Sequence, residues 1–413
     1  MKTCTLVSQE DCQKIVHKYD AGNFELVTFE VKPLGDEPMG FLGEHWRLNI
    51  AIRTANSKSV TLQFFMKSVP DGVAAHTRYI VNIGVFQKEA LLYKQLFSKF
   101  QANATAQIVP KCYLVNARSH IVLEDLSLRN FAVVKDKAQT LDYAHCECLA
   151  ETLGRFHAAS IIFEEANSTS TEQYRIDDHF SDILYETTFS FEPGHPRNDW
   201  LITTTDTLIC LCKKIDSYGD KDVERAIRLL IERMQEYIRP SKIFRNVINH
   251  GDLWSNNVMF KYTEDSVPEQ CILVDYQMAR YVPPGFDFLT FLYLTTSEQF
   301  HKTHFTALVD VYYSAFVQEL SRQHIDAETI MSKNRFVECC EYYKPAALLE
   351  SAMFATIVYL NDDFSKDMLS DAAKFDEFML TNRSKLVCRE FEEDPVFKSR
   401  VESVLVQLLE CIL

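Results

Sequence analysis

The most constraining stretch of this chain is His250-Gly251-Asp252-Leu253-Trp254-Ser255-Asn256-Asn257, followed by Ile272-Leu273-Val274-Asp275-Tyr276-Gln277. It sets a carboxylate and an amide five residues apart on a loop after the strand-like Val247-Ile248-Asn249. A second carboxylate, Asp275, closes an apolar run 23 residues beyond Asp252. Phosphoryl transfer needs this set of groups. One Asp orients or deprotonates an alcohol, and an Asn and a later Asp hold Mg²⁺ against the phosphates. A single loop Asp is ordinarily a solvated charge and a single His ordinarily structural. The combination, with strand patterns on either side, carries the reading.

That chemistry demands partners upstream. Lys67 ends the apolar run LQFFM, and Glu89 lies 22 residues further on within a helical pattern. A Lys–Glu pair of this kind holds the nucleotide phosphates while the carboxylate fixes the ammonium. The segment Glu124-Asp125-Leu126 falls where the texture of the chain changes, and its backbone amide and carbonyl groups suit an adenine edge. Gly40-Phe41-Leu42-Gly43 stands before the strand-like RLNIAI, where a phosphate-covering loop belongs. Gly40 and Gly43 serve equally well in a plain hairpin turn. The chain has no G-x-x-x-x-G-K-[ST], so a P-loop NTPase is not supported.

The 413 residues divide by texture into two lobes, 1–125 and 126–413. The first reads as an opening helix over 5–20 and strands at 25–32, RLNIAIRT and VTLQFFMKSVP. The last two are joined by a turn at 56–59. A helix over 85–99 has Phe86, Ala90, Tyr93 and Phe97 on one face, and YLVN and SHIVLEDL read as two further strands. The second lobe reads as a long helix over 141–162, an irregular stretch over 163–220 and a helix over 221–239. Short strands surround the catalytic motif, Pro283-Pro284-Gly285 makes a turn, and helices follow from 298 onward. Phe189, Phe191 and Trp200 in the irregular stretch are candidates to rim an acceptor pocket; an ordinary aromatic core explains them too. The expected fold is α+β: a small β-rich lobe with one key helix, and a large, mainly helical lobe.

A net charge of -15 argues against non-specific binding to nucleic acid or anionic membrane. Twelve Cys at irregular spacings, with no C-x-x-C, read as reduced thiols. The N-terminus lacks an apolar signal core, and no segment approaches 18 apolar residues. A cytoplasmic location without membrane insertion is expected, and no oligomeric interface can be read from the chain.

These residues together resemble the ecdysteroid-kinase-like family, within the wider choline kinase and aminoglycoside phosphotransferase superfamily. The matching pieces are FFMKSVP, the FxxE of Phe86–Glu89, VLEDL, LGRFHA, HGDLWSNN, LVDYQ and PPGFDFLTFL. The resemblance implies a protein-kinase-like bilobed fold that uses ATP and Mg²⁺ to phosphorylate a small-molecule alcohol, an ecdysteroid or a lipophilic xenobiotic. It implies that Lys67 contacts phosphates, Glu89 pairs with it, Asp252 is the catalytic base, and Asn257 and Asp275 bind the metal. His250 organises the loop, and Asp287 ties the catalytic region to the helical core. The glycine loop departs from the family's usual G-E-N-[YF]-x-S. That departure motivates a second reading, a catalytically silent nucleotide-binding or scaffold protein. A third keeps the kinase and changes the acceptor to a choline-like or sugar-like compound.

Overall fold

The computed structural model describes residues 6–19, 22–34, 43–103, 106–136, 139–219 and 221–413. The chain opens with helix α1 (Gln9–Tyr19) and strands β1 (Phe24–Pro33), β2 (Glu44–Thr54) and β3 (Ser59–Ser68). Helices α2 (Ala74–Ile83), α3 (Val85–Leu92) and α4 (Ser98–Asn103) follow, then β4 (Cys112–Asn116) and β5 (His120–Glu124). These five strands form one antiparallel sheet in the order β1-β2-β3-β5-β4.

Beyond Glu124 come β6 (Phe131–Ala132), α5 (Tyr143–Asn167), α6 (Ile176–Phe180), α7 (Pro196–Cys212) and α8 (Val223–Tyr237). Strands β7 (Val247–Asn249), β8 (Val258–Tyr262), β9 (Pro268–Leu273) and β10 (Arg280–Val282) form two small sheets, β10-β7 and β6-β8-β9. Helices complete the chain: α9 (Pro284–Thr295), α10 (Glu298–Arg322), α11 (Ala327–Ile330), α12 (Lys333–Val358), α13 (Asp362–Ser370), α14 (Ala372–Asp376), α15 (Ser384–Glu393) and α16 (Pro395–Ile412). A sheet-rich lobe followed by a mainly helical one is the protein-kinase-like bilobed fold. Among the described residues, no helix is long and apolar enough to cross a membrane.

Strand periodicity explains the placement of Lys67. Side chains alternate along a strand, so Leu62, Phe64 and Met66 of β3 share one face. They bury against Cys12, Ile15 and Val16 of α1. Lys67 therefore points to the opposite face, toward α3. Helix α3 presents Phe86 and Ala90 to the core, and its apolar face continues through a π-helical turn at Tyr93–Phe97. Glu89, three residues after Phe86, lies on that same face. Helices α2 and α3 share one continuous apolar core with the helical lobe, while the outer face of the sheet has its own.

Three segments differ from the sequence expectation. Helix α2 had no predicted counterpart; its end is marked by Gly84 in the left-handed region (φ 73°). The stretch read as irregular contains the 17-residue helix α7. Its β-branched residues argue against a helix on propensity. In the fold, three of its threonines donate to carbonyls four residues back: Thr204 to Trp200 O (2.6 Å), Thr205 to Leu201 O (2.7 Å) and Thr207 to Thr203 O (2.7 Å). Their hydroxyls are thereby satisfied within the helix while the methyls pack. Finally, Pro283-Pro284-Gly285 is a helix start, with Pro283 at the cap and Pro284 at the first position of α9.

Candidate active site

Lys67 is almost fully buried at the centre of the site. Its Nζ donates to Glu89 Oε2 at 2.7 Å and to Asp275 Oδ1 at 2.8 Å. Burial disfavours the ammonium, but Asp275 and Glu89 outweigh that and raise its pKa. Glu89 makes a further contact, accepting the backbone N–H of Tyr276 at 3.1 Å through Oε1. One carboxylate on α3 thus holds both the lysine and the residue after Asp275. Asp275 itself sits in the left-handed region (φ 70°), which turns its carboxylate out of the line of β9.

The second half of the site is the loop after β7. Asp252 is buried, and its Oδ2 accepts Asn257 Nδ2 at 2.9 Å. The same Nδ2 donates to the Asp252 carbonyl at 2.8 Å. Burial, then the nearby Asp275 charge, push the Asp252 carboxyl up to about 8. His250 has both ring nitrogens engaged. Asp252 N–H donates to its Nδ1 at 3.3 Å, so Nε2 carries the proton and donates to Val274 O at 2.9 Å. With both edges occupied and its pKa lowered by burial, the imidazole joins the two carboxylate-bearing segments and is not placed to accept a substrate proton.

Asp287, in the first turn of α9, anchors this loop from below. Its two oxygens accept His250 N at 2.6 Å and Gly251 N at 3.0 Å, and His157 Nε2 lies 3.3 Å away. Gly251 has φ 78°, and a Cβ on it would lie 2.3 Å from the Met278 carbonyl oxygen. Only glycine fits there.

The remaining predicted residues fall as follows. Gly43 lies against Lys67: a Cβ on it would come within 2.8 Å of Lys67 Cε. Gly40, with Phe41 and Leu42, lies outside the described residues. The Glu124 carboxylate accepts Lys111 N at 2.7 Å and Arg129 Nη1 at 3.1 Å. Asp125 caps the 3₁₀ turn Leu126–Arg129 through Ser127 N (3.1 Å) and accepts Gln63 Nε2 (3.2 Å). Both side chains are engaged in holding the junction, and Leu126 is buried. A cavity of about 440 Å³ among α13–α15, reaching Phe364, Met368 and Phe378, is lined by none of the predicted residues.

For a metal, Asn257 and Asp275 offer oxygen donors, the kind Mg²⁺ takes. Two protein ligands suit that ion, which fills its remaining positions with phosphates and water. The raised Asp252 is consistent with this donor set, since a cation beside Asp275 offsets the repulsion between the two carboxylates. Among the described residues, no group of three His, Cys, Asp or Glu could form a cage of its own.

The sequence reading missed a buried charge cluster behind the loop. Arg280 donates to Glu350 Oε2 at 2.6 Å and lies 3.4 Å from Glu186 Oε2. The available signal was a lone charge in each of two apolar runs, MARYV and ALLESAMFA.

A buried lysine held by two carboxylates thus lies beside an Asp–Asn loop within a protein-kinase-like bilobed fold. The chain belongs to the ecdysteroid kinase-like family, whose model matches residues 39–325. Fold and family support a kinase-like enzyme that phosphorylates a small-molecule alcohol. Among solved structures, the chain is similar to an ethanolamine kinase of Plasmodium vivax. That match has 14% identity and a TM-score of 0.38, and covers 90% of this chain and 84% of that one. It is also similar to a microcompartment-associated aminopropanol kinase, with 14% identity and a TM-score of 0.37, over 93% of this chain and 98% of that one. No curated protein matches the chain.

Proposed function

We propose that this protein transfers the terminal phosphoryl group of ATP to a hydroxyl of a small molecule, with ecdysteroids and lipophilic xenobiotics as the leading acceptors. The observation that carries this reading is Lys67 bridging Glu89 and Asp275 (2.7 and 2.8 Å) beside the Asp252–Asn257 pair. In this reading residues 1–125 bind nucleotide, and 126–413 supply catalysis and the acceptor site. Lys67 is held by Glu89 and contacts the phosphates. Asp252 orients the acceptor hydroxyl and takes its proton as the new O–P bond forms. Asn257 and Asp275 hold Mg²⁺, which when bound neutralises phosphate charge. His250 and Asp287 fix the loop that carries Asp252.

The test is a phosphorylation screen of the purified protein with Mg-ATP. Ecdysteroids are set beside plant glycosides, phenols and choline, and product mass and the modified position are read out. Transfer to a steroid or xenobiotic hydroxyl supports the reading. No transfer to any alcohol, from a folded protein that binds Mg-ATP, supports the silent alternative. Retention of Lys67, Glu89, Asp252, Asn257 and Asp275 together argues against that alternative.

A finer test falls on Gly43. Gly43→Ala places a methyl 2.8 Å from Lys67 Cε, too close for both to stay, and displaces the ammonium from its two carboxylates. The expected result is a rise in KM for ATP of about tenfold or more, since small misplacements near the reacting groups cost up to ~10²-fold. Thermal stability should fall as well, because moving the ammonium leaves the buried Glu89 carboxylate without its cation.

A further inference from the structure

Behind the catalytic loop lies a cluster of buried hydrogen-bond donors with nothing to donate to. Arg197 and Trp200 stand in the first turns of α7, Tyr79 reaches in from α2, and Arg383 precedes α15. All four are at least 97% buried. The donors without a partner are Arg197 Nε, Arg383 Nη1 and Nη2, Trp200 Nε1 and Tyr79 Oη. Among the described residues, neither arginine has a carboxylate in an ion pair. Arg197 Nη2 reaches only the sulfur of Met278, at 3.8 Å, and Arg383 Nε reaches the Phe378 carbonyl, at 3.1 Å.

Both guanidinium groups lie over the Trp200 ring. Their Cζ atoms lie 5.2 and 5.6 Å from the Trp200 ring centroid, and Arg197 also lies 5.6 Å from that of Tyr79. Aromatic faces attract the cations, but they do not meet the in-plane N–H groups. A buried guanidinium without an acceptor is among the costliest arrangements in a protein. Burial pulls the Arg383 pKa down to about 9, and Arg197 acts in the same direction. An anion accepting from these donors would reverse both effects.

Every orphaned atom here is able to donate, and two of the four side chains are cations. The missing partner is therefore rich in acceptors and negatively charged. We propose that Arg197, Arg383, Trp200 and Tyr79 form an internal site for a compact oxyanion, the carboxylate or sulfate group of a hydroxylated acceptor. The cluster is linked to the loop of Asp252 through Met278. Met278, which Arg197 touches, is three residues past Asp275, and its carbonyl packs on Gly251 next to Asp252. The acceptor role rests on the kinase reading above; the anion site does not.

The anion is tested first, without nucleotide or turnover. Sodium sulfate is titrated calorimetrically at constant ionic strength into the wild type, Arg383→Gln and Lys67→Gln. Saturable binding is expected in the wild type and in Lys67→Gln, and at least tenfold weaker binding in Arg383→Gln. No saturable binding in the wild type, or equal affinity in all three, overturns the site. If Arg383→Gln does not fold, selenate is located by anomalous scattering in crystals of the unmodified protein. Selenate between Arg197 and Arg383 supports the site, and its absence there overturns it. Alcohols differing only in a sulfate ester then separate the sources. A tenfold KM preference for the sulfated partner, lost in Arg383→Gln, assigns the anion to the acceptor. Sulfate binding without that preference assigns it to a free oxyanion. Sulfate binding with no phosphorylation of any alcohol leaves the site standing and removes the kinase reading.

Discussion

Asp252→Asn is expected to leave the protein folded and able to bind Mg-ATP within about threefold, while phosphoryl transfer to the acceptor falls by about 10³-fold. The carboxylate and the amide have nearly the same shape, so the contact with Asn257 at 2.9 Å can be kept through the amide oxygen. What is lost is the ability to accept a proton. Positioned general bases contribute about 10²–10⁴-fold to rate, and proton acceptance is the role proposed for this residue. Stability should not suffer. Asp252 is buried close to Asp275 and Glu350, both of which disfavour its charge, so a neutral side chain relieves repulsion. The measurements are initial rates with the best acceptor from the screen and nucleotide binding by calorimetry. Full turnover in the variant sinks the assignment of Asp252 as base. Loss of nucleotide binding together with turnover would instead make Asp252 part of the metal and nucleotide site.

The sequence displayed the local half of this site and concealed its long-range half. The HGDLWSNN loop was legible because Asp252 and Asn257 are five residues apart and meet within one turn of chain. The side of the sheet that Lys67 faces followed from the alternation of Leu62, Phe64 and Met66. The contact between Lys67 and Asp275 joins residues 208 apart, and nothing local in either segment specifies it. It exists because β3 and the end of β9 are both packed against the region held by Glu89. Helix α7 was illegible for another reason. Its threonines carry a strand-like propensity, and only burial of their methyls with internal bonding of their hydroxyls makes a helix of them. With α7 unseen, the arginines beside Trp200 remained two ordinary positive charges in the text of the sequence.

The same separation between local motif and distant support sets the expectation for Asp287. Asp287→Ala should destabilise the protein by about 3–5 kcal/mol, the range for stripping one member from a buried charged network. Three donors depend on this carboxylate: the amides of His250 and Gly251, and His157 Nε2. All are buried, and no water can replace the lost acceptor without a rearrangement of the loop. Asp287→Asn keeps one oxygen but turns an N–H₂ toward a backbone N–H, so it should lose less than the alanine variant and still be clearly destabilised. The pH dependence has a definite sign. Burial alone would raise the Asp287 pKa, but His157, His250 and the Gly251 amide outweigh it and lower the carboxyl. An aspartate depressed on folding contributes stability above its unfolded pKa, about 3.9. It loses that contribution as pH falls through the folded value. The gap between wild type and Asp287→Ala should therefore be full near neutrality and close in acid, as read from urea midpoints across pH. A gap that stays constant down to the acid limit would mean that packing, and not the ionised carboxylate, carries the stabilisation. Turnover in Asp287→Ala should fall more steeply than ATP binding, because the loop it anchors carries Asp252 while Lys67, the residue proposed to contact the nucleotide, is held separately by Glu89.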